Sequence, residues 1–273
     1  TLLRHGLLGK SFVPPAAIRD LRECSRLHRC FVQERCRYVN RLEKFLQAHG
    51  FKFSSVMKDI LSVSGRKLLN LLRDTGSLTP LDVAENCRRL RRSPEEISAA
   101  VCGNITVAEQ RLLKHLLHKL DSCQEDISSI LEDMRLLSQQ FQEQLAIIDS
   151  IPGFDEESAM EIIAEISAAP QDHFSSGEKL CRWAGVTPRN DESAGKMKSR
   201  KTLHGNPYVK SILCQAAWAA VKVRNSPFHD WFWSHQHKLG QKKAIIAVSR
   251  KLLMLIYLLL QSGEAYRPLD KAS

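Results

Sequence analysis

The chain has no C-x-x-C pair, no methionine before Met57 and no long uncharged apolar run. The first absence removes the ligand spacing of a structural zinc site. Cys24, Cys30 and Cys36 recur every six residues, which turns each about 240° around a helix from the last. They face different directions and do not share a metal. Cys87, Cys102, Cys123, Cys181 and Cys214 stand singly, so the eight cysteines read as reduced thiols rather than a disulfide framework. The second absence, with "TLLRHGLLGKSF" reading as the last turns of a helix, leads to the expectation that the chain begins inside a larger protein. The third excludes a membrane partner: "AIIAVSRKLLMLIYLLL" is interrupted by Arg250 and Lys251 and reads as a buried terminal helix. A cytoplasmic protein without a secretory signal is expected.

Acidic residues are also in short supply. Forty Lys and Arg stand against 30 Asp and Glu, a formal charge of +10. A polyanion is the expected partner, nucleic acid ahead of a membrane surface. The 43% hydrophobic content suffices for a core, and 273 residues suffice for two modest domains.

What is present is mainly helical periodicity. Pro14 and Pro15 mark a helix entry, and Ile18, Leu21, Val32, Val39, Leu42 and Phe45 keep helical spacing to about His49. The other faces carry arginines, Arg29 and Arg35 among them. They form either a solvated face or a rail along a nucleic-acid backbone, where each cation displaces a condensed counterion. Short helices broken by Gly65, Gly76, Pro80 and Pro94 follow, with a second basic cluster at Arg88, Arg89, Arg91 and Arg92. Leu113, Leu120, Ile127, Met134, Phe141 and Ile148 then repeat every seven residues. One helix from Thr106 to Asp149, roughly 65 Å long, is expected. Its seam either folds back on the first long helix or pairs between chains as a dimer. At Pro152 and Gly153 the pattern turns sharply into a helix marked by Ala159, Ile162, Ile163 and Ile166. This entry is like the second half of a helix-hairpin-helix, whose turn holds a DNA phosphate. Asp155 departs from it, because its charge repels phosphate. Further on, Phe228, Trp231, Phe232 and Trp233 read as core ahead of base-stacking platforms. His229, His235 and His237 lack the companions a metal site needs.

Between these helices lies "NDESAGKMKSRKTLHGN", with no hydrophobic period. Ser193 sits there among Lys196, Lys198, Arg200 and Lys201. A serine hydroxyl is a weak nucleophile until a base takes its proton and cations stabilise the developing charge. These four cations supply that charge for attack on a phosphodiester, and Gly195 and Gly205 allow close backbone approach to a phosphate. A solvated basic loop is the plainer alternative.

Three segments together carry a resemblance: "LLRHGLLGKSFVPPAAIRDLRECSRLHRCFVQERCRYVNRLEKFL", "IPGFDEESAMEIIAEI" and "LCRWAGVTPRNDESAGKMKSRKTLHGNPYVKSIL". In that order, across essentially the whole chain, they resemble the DEDD-type insertion-sequence transposases, the insertion-sequence-110 family of RNA-guided bridge recombinases. The resemblance implies a mainly α chain. Residues 1–50 would be the end of a RuvC-like domain and the first long basic helix. Residues 51–149 would be a helical insert and an antiparallel or intersubunit coiled coil. Residues 150–273 would be a mostly helical C-terminal transposase domain with a helix-hairpin-helix-like entry. It also implies DNA and a structured guide (bridge) RNA as partners, a homodimer or higher homo-oligomer, and a bacterial, nucleoid-associated setting. Ser193 takes the nucleophile's place in "NDESAGK", and Asn206 the place of the asparagine in the following "GN". The family's four acids that bind Mg2+ belong upstream of "LLRHGLL", so no metal ligand of that set is assigned in this chain. A non-catalytic nucleic-acid-binding relic, or a dominant-negative subunit that dimerises through the coiled coil, is the alternative.

Overall fold

Alanine and proline set the first boundary. In the computed structural model, which describes residues 13–86, 96, 99–189, 191–193, 196–199, 201–224 and 226–268, helix α1 (Ala16–Ala48) starts directly after Pro15. It ends in a Schellman turn: Phe51 N donates to Leu46 O at 2.9 Å and Gly50 N to Gln47 O at 3.3 Å. The short α2 (Phe53–Val56), α3 (Val63–Thr75) and α4 (Pro80–Asn86) follow. Then come α5 (Val107–Ser138), a 3-10 turn at Gln139–Phe141 and α6 (Gln142–Asp149). The C-terminal part contains α7 (Glu156–Ile166), α8 (Gly177–Trp183), the strands β1 (Asp191–Ser193) and β2 (Lys196–Ser199), α9 (Pro207–Ala220), α10 (Pro227–Leu239) and α11 (Gln241–Ser262). The described chain is mainly α, as its periodicity predicts.

The expected single helix from Thr106 to Asp149 is interrupted. Ser138 is buried, and its hydroxyl donates to Arg135 O at 3.0 Å, three residues back. Back-bonding of this kind competes with the helical ladder and bends it. The 3-10 turn follows directly.

The chain divides into two compact units, and the boundaries fall inside α1 and α5. One comprises Leu27–Ser129. Its core joins Leu42 and Leu46 of α1, Phe51, Phe53, Leu68, Leu69 and Leu72, and Leu113, Leu117 and Leu120 of α5. The first members of the heptad are thus buried here. A second connection is made by the backbone, with Lys52 N donating to Ala100 O and Ile105 N to Gly76 O.

The other unit comprises residues 1–26 and 130–273. Helix α11 is its axis, packed against α8, α9 and α10. Ala244, Ile245, Val248, Leu252, Leu253, Ile256 and Leu260 fill one side of it. By length and composition α11 is apolar enough to cross a membrane, but half of its apolar window is buried inside this core. Its Tyr257 hydroxyl is satisfied by the carbonyl of Phe174 at 2.8 Å. Ile18 and Leu21 of α1 and Met134 of α5 belong to the same core. Among the described cysteines all are free thiols. Burial pushes Cys181 up to about 11, so it stays protonated.

Candidate nucleic-acid interface

The serine-bearing segment forms a small antiparallel ladder in the second unit. Strands β1 and β2 pair with Ser193 opposite Lys196, Glu192 opposite Met197 and Asp191 opposite Ser199, with a bulge between Asp191 and Glu192. Lys198 lies within β2. The backbone continues the pairing outward: Arg189 N donates to Lys201 O at 3.0 Å and Leu203 N to Thr187 O at 3.2 Å. Pro188 and Thr202 bridge between them. The segment that looks like a loop in sequence is therefore a hairpin with a defined root. Gly195 and Arg200 lie outside the described residues, as do Arg88 and Arg89.

The root is closed by two glycines. Gly185 has φ +73°, and a Cβ on Gly205 would stand 2.3 Å from Gly185 N and 2.4 Å from Ala184 C. No side chain fits there. Gly205 is thus required for contact with its own chain. Immediately after it, Asn206 N donates to Trp183 O at 3.2 Å, tying the return strand to the end of α8.

Asn206 does three things at once. Its Oδ1 accepts from Tyr208 N at 2.9 Å and Val209 N at 3.3 Å, capping α9. Pro207 then occupies the first helical position, where its missing N–H is no loss. The Asn206 Nδ2 donates to Glu165 Oε2 at 2.6 Å. Glu165 is only 1% exposed, a carboxylate on the buried face of α7. Arg26 of α1 holds it with a two-pronged pair, Nε to Oε1 at 2.8 Å and Nη2 to Oε2 at 3.0 Å. The Arg26 guanidinium also lies 4.2 Å from the Tyr208 ring centroid. Its neighbour Arg22 donates to the carbonyls of Ala164 at 2.8 Å and Glu165 at 2.7 Å, at the C-terminal end of α7. Burial lowers the Arg22 pKa, opposed by Glu165, while the hydrogen bond to Glu165 raises that of Arg26.

Gly153 belongs to the same unit but has a packing reason. It sits at φ +98° between α6 and α7, and an added Cβ would stand 2.3 Å from Ala216 O of α9. The following Asp155 caps α7, accepting from Ser158 N at 2.9 Å while its own N–H donates to Ser158 Oγ. The anion that meets this helix start is the protein's own carboxylate. Lys201 is exposed, and Arg29 and Arg35 are half-buried members of Leu27–Ser129. The structure thus brings together Ser193, Lys196, Lys198, Lys201, Gly205 and Asn206 on one hairpin and its return. Glu165, Arg22, Arg26 and Tyr208 are the residues that sequence reasoning misses. The legible signal is Glu165 itself, a charge three residues after Ile162 on an otherwise apolar helical face.

Residues 145–232 match the sequence model of the Transposase IS116/IS110/IS902 family. Over 99 residues the chain is 28% identical to the protein named "Putative transposase y4pF/y4sB" of Sinorhizobium fredii (strain NBRC 101917 / NGR234), which covers 34% of this chain and 26% of that protein. Over 267 residues it is 24% identical to "Putative transposase y4rJ" of the same organism, covering 92% of this chain and 60% of that protein. The chain spans less than two thirds of the length of either relative. The matched segment includes Glu165, the hairpin and Asn206. The unit with the serine hairpin therefore carries a Transposase IS116/IS110/IS902 family domain, over residues 145–232.

Proposed function

We propose that the chain is a DNA transposase or recombinase of an insertion sequence that works with a guide RNA and uses Ser193 as its nucleophile. One observation carries this reading. The family match falls on a hairpin whose root is pinned by a buried, charge-assisted network, a degree of fixation that a solvated basic loop does not require. In the proposed step Ser193 Oγ forms a bond to a DNA phosphorus and loses its proton to a base. One P–O ester bond breaks, and the departing strand oxygen takes up a proton. The product is a phosphoserine link to the cut strand. Lys196, Lys198, Arg200 and Lys201 hold the charged phosphoryl oxygens, and base pairing by the RNA selects the site. Arg29, Arg35, Arg88 and Arg89 contact nucleic-acid backbone in the same reading, and the heptad seam of α5 supports an antiparallel coiled coil or a homo-oligomer.

A divalent metal, expected as Mg2+, would polarise the phosphate. Glu165 does not fit as its ligand, since its two oxygens already accept from Arg26 and Asn206. Asp155 is likewise engaged in its helix cap. No step is assigned to the metal through either residue.

The test is Ser193→Ala in the complete protein with guide RNA, donor DNA and target DNA. Strand cleavage and the covalent protein–DNA product should disappear, while binding of DNA and RNA remains and weakens steeply with salt. Undiminished recombination by this variant would show that Ser193 is not the nucleophile. Tight binding with no cleavage by the unaltered protein would favour a non-catalytic subunit.

A further inference from the structure

We propose that Glu165 is a positioning residue for Ser193: its buried carboxylate, held by Arg26, fixes Asn206 and through it the chain returning from the serine hairpin. The inference rests on the transposase reading above, because it concerns the geometry of that nucleophile.

The connection runs through named bonds among the described residues. Arg26 grips both oxygens of Glu165, and Glu165 Oε2 receives the Asn206 amide at 2.6 Å. The Asn206 backbone is held by Trp183, and three residues earlier Leu203 is held by Thr187. From there the strands lead to Ser193 opposite Lys196. The close approach of Gly205 to Gly185 leaves no room for a side chain at the root. A nucleophile on a two-stranded ribbon has little core of its own, and such ribbons are marginal in isolation. Its aim is set where the ribbon is rooted. A displacement of about 1 Å at a reacting atom costs on the order of 100-fold in rate. A root bond in a shielded site is well placed to control that displacement.

Glu165 is also an awkward residue to keep for stability alone. A buried ion pair gains little over apolar residues of the same volume, whereas removing one partner is costly. Among the described residues the Glu165 carboxylate additionally supplies the acceptor for Asn206 Nδ2. Its role is to hold that amide in place, and this is separable from filling space.

The experiment exchanges the bond's direction. Glu165→Gln leaves one carbonyl oxygen for the two Arg26 donors and the Asn206 amide, and its NH2 group faces at least one of them, so the three-bond network cannot be kept. Asn206→Asp keeps the helix cap but sets a carboxylate against Glu165. Combined, the two substitutions restore a donor and an acceptor in swapped order. Each single variant should cut kcat for strand cleavage by on the order of tenfold, with KM for DNA within about twofold of the parent. The double variant should recover to within about threefold. Tryptophan fluorescence confirms folding at the assay temperature. Should a single variant fail to fold, Asn206→Ser retains a cap, drops only the amide, and should show the same fall in kcat. Parental kcat in the folded single variants, or a double variant whose losses multiply, overturns the inference. Ser193→Ala run alongside separates the failures. If it abolishes cleavage while the single variants cut normally, only the positioning role falls. If it cleaves normally, the nucleophile assignment and the positioning role fall together.

Discussion

In the unit that carries the hairpin, a carboxylate 1% exposed is shared between Arg26 and Asn206. In Leu27–Ser129 the ion pairs lie nearer water: Arg66 with Asp121, Arg73 with Asp74, and His49 with Glu109. The unit Leu27–Ser129 closes an apolar core of leucines and phenylalanines and leaves these charges at the rim. The hairpin unit has an apolar core as well, yet places a charge inside it. Taking a carboxylate out of water costs several kcal/mol, recovered only when its partners are well aimed. The difference teaches that the buried carboxylate marks the place where an irregular segment is pinned.

The largest effect should come from breaking that pin. Glu165→Ala strips Arg26 of its partner and leaves Asn206 Nδ2 without its acceptor. A loss of about 3–5 kcal/mol is expected. Replacing both Glu165 and Arg26 by methionine should recover much of that stability, because Arg22 keeps the carbonyls of Ala164 and Glu165. Tryptophan fluorescence reads this unit alone, since Trp183, Trp218, Trp231 and Trp233 all belong to it. Denaturant melts of the three proteins followed by fluorescence decide the point. A double variant as unstable as the single would mean that the ion pair is worth more than its volume.

Next in size is Leu113→Ala in the other unit. Leu113 is fully buried in the same core as Leu42 and Leu46, and the cavity should cost about 3 kcal/mol. Circular dichroism should register the loss, with the fluorescence transition moving less than it does for Glu165→Ala. Equal shifts in both signals for both variants would break the comparison and show the two units unfolding as one.

Much of the helical framework was open to reading in the sequence. Pro15 and Gly50 bracket α1, the heptad leucines Leu113 and Leu120 are buried, and the alanine-packed segment after Tyr208 is α9. The break after Ser138 was not legible, because "SQQFQEQ" contains neither proline nor glycine and Ile148 stays on the buried face. The hairpin around Ser193 was hidden for a related reason. Its strands are three and four residues long and, Met197 apart, made of charged and small residues, so no alternation of apolar and polar positions announces them. The role proposed for Ser193 rests on motif resemblance alone. Glu165 was visible as a charge out of place, but its partners lie 139 residues away at Arg26 and 41 residues away at Asn206. Periodicity reports which face is buried and is silent on long-range polar pairing.

The surface pairs supply the smallest effects and so the sharpest test of the contrast. Arg66→Ala should cost less than about 1 kcal/mol by denaturant melt, as exposed ion pairs generally do. For His49 the signature is pH rather than size. Its Nδ1 faces Phe45 O at 2.7 Å and its Nε2 faces Glu109 Oε1 at 2.9 Å. The Phe45 carbonyl raises the pKa above the ordinary imidazole value, desolvation opposes it in part, and Glu109 adds to the rise. The folded protein therefore holds this proton more tightly than the unfolded chain. Its contribution is fully present below the unfolded value of about 6.5 and is lost as pH rises through the higher folded pKa. Melting temperatures of the parent and His49→Gln, followed by circular dichroism, should differ most near pH 6 and converge toward pH 9. A difference that stays constant over that range would mean that His49 acts through packing on Phe45, 4.5 Å between ring centroids, and not through its charge.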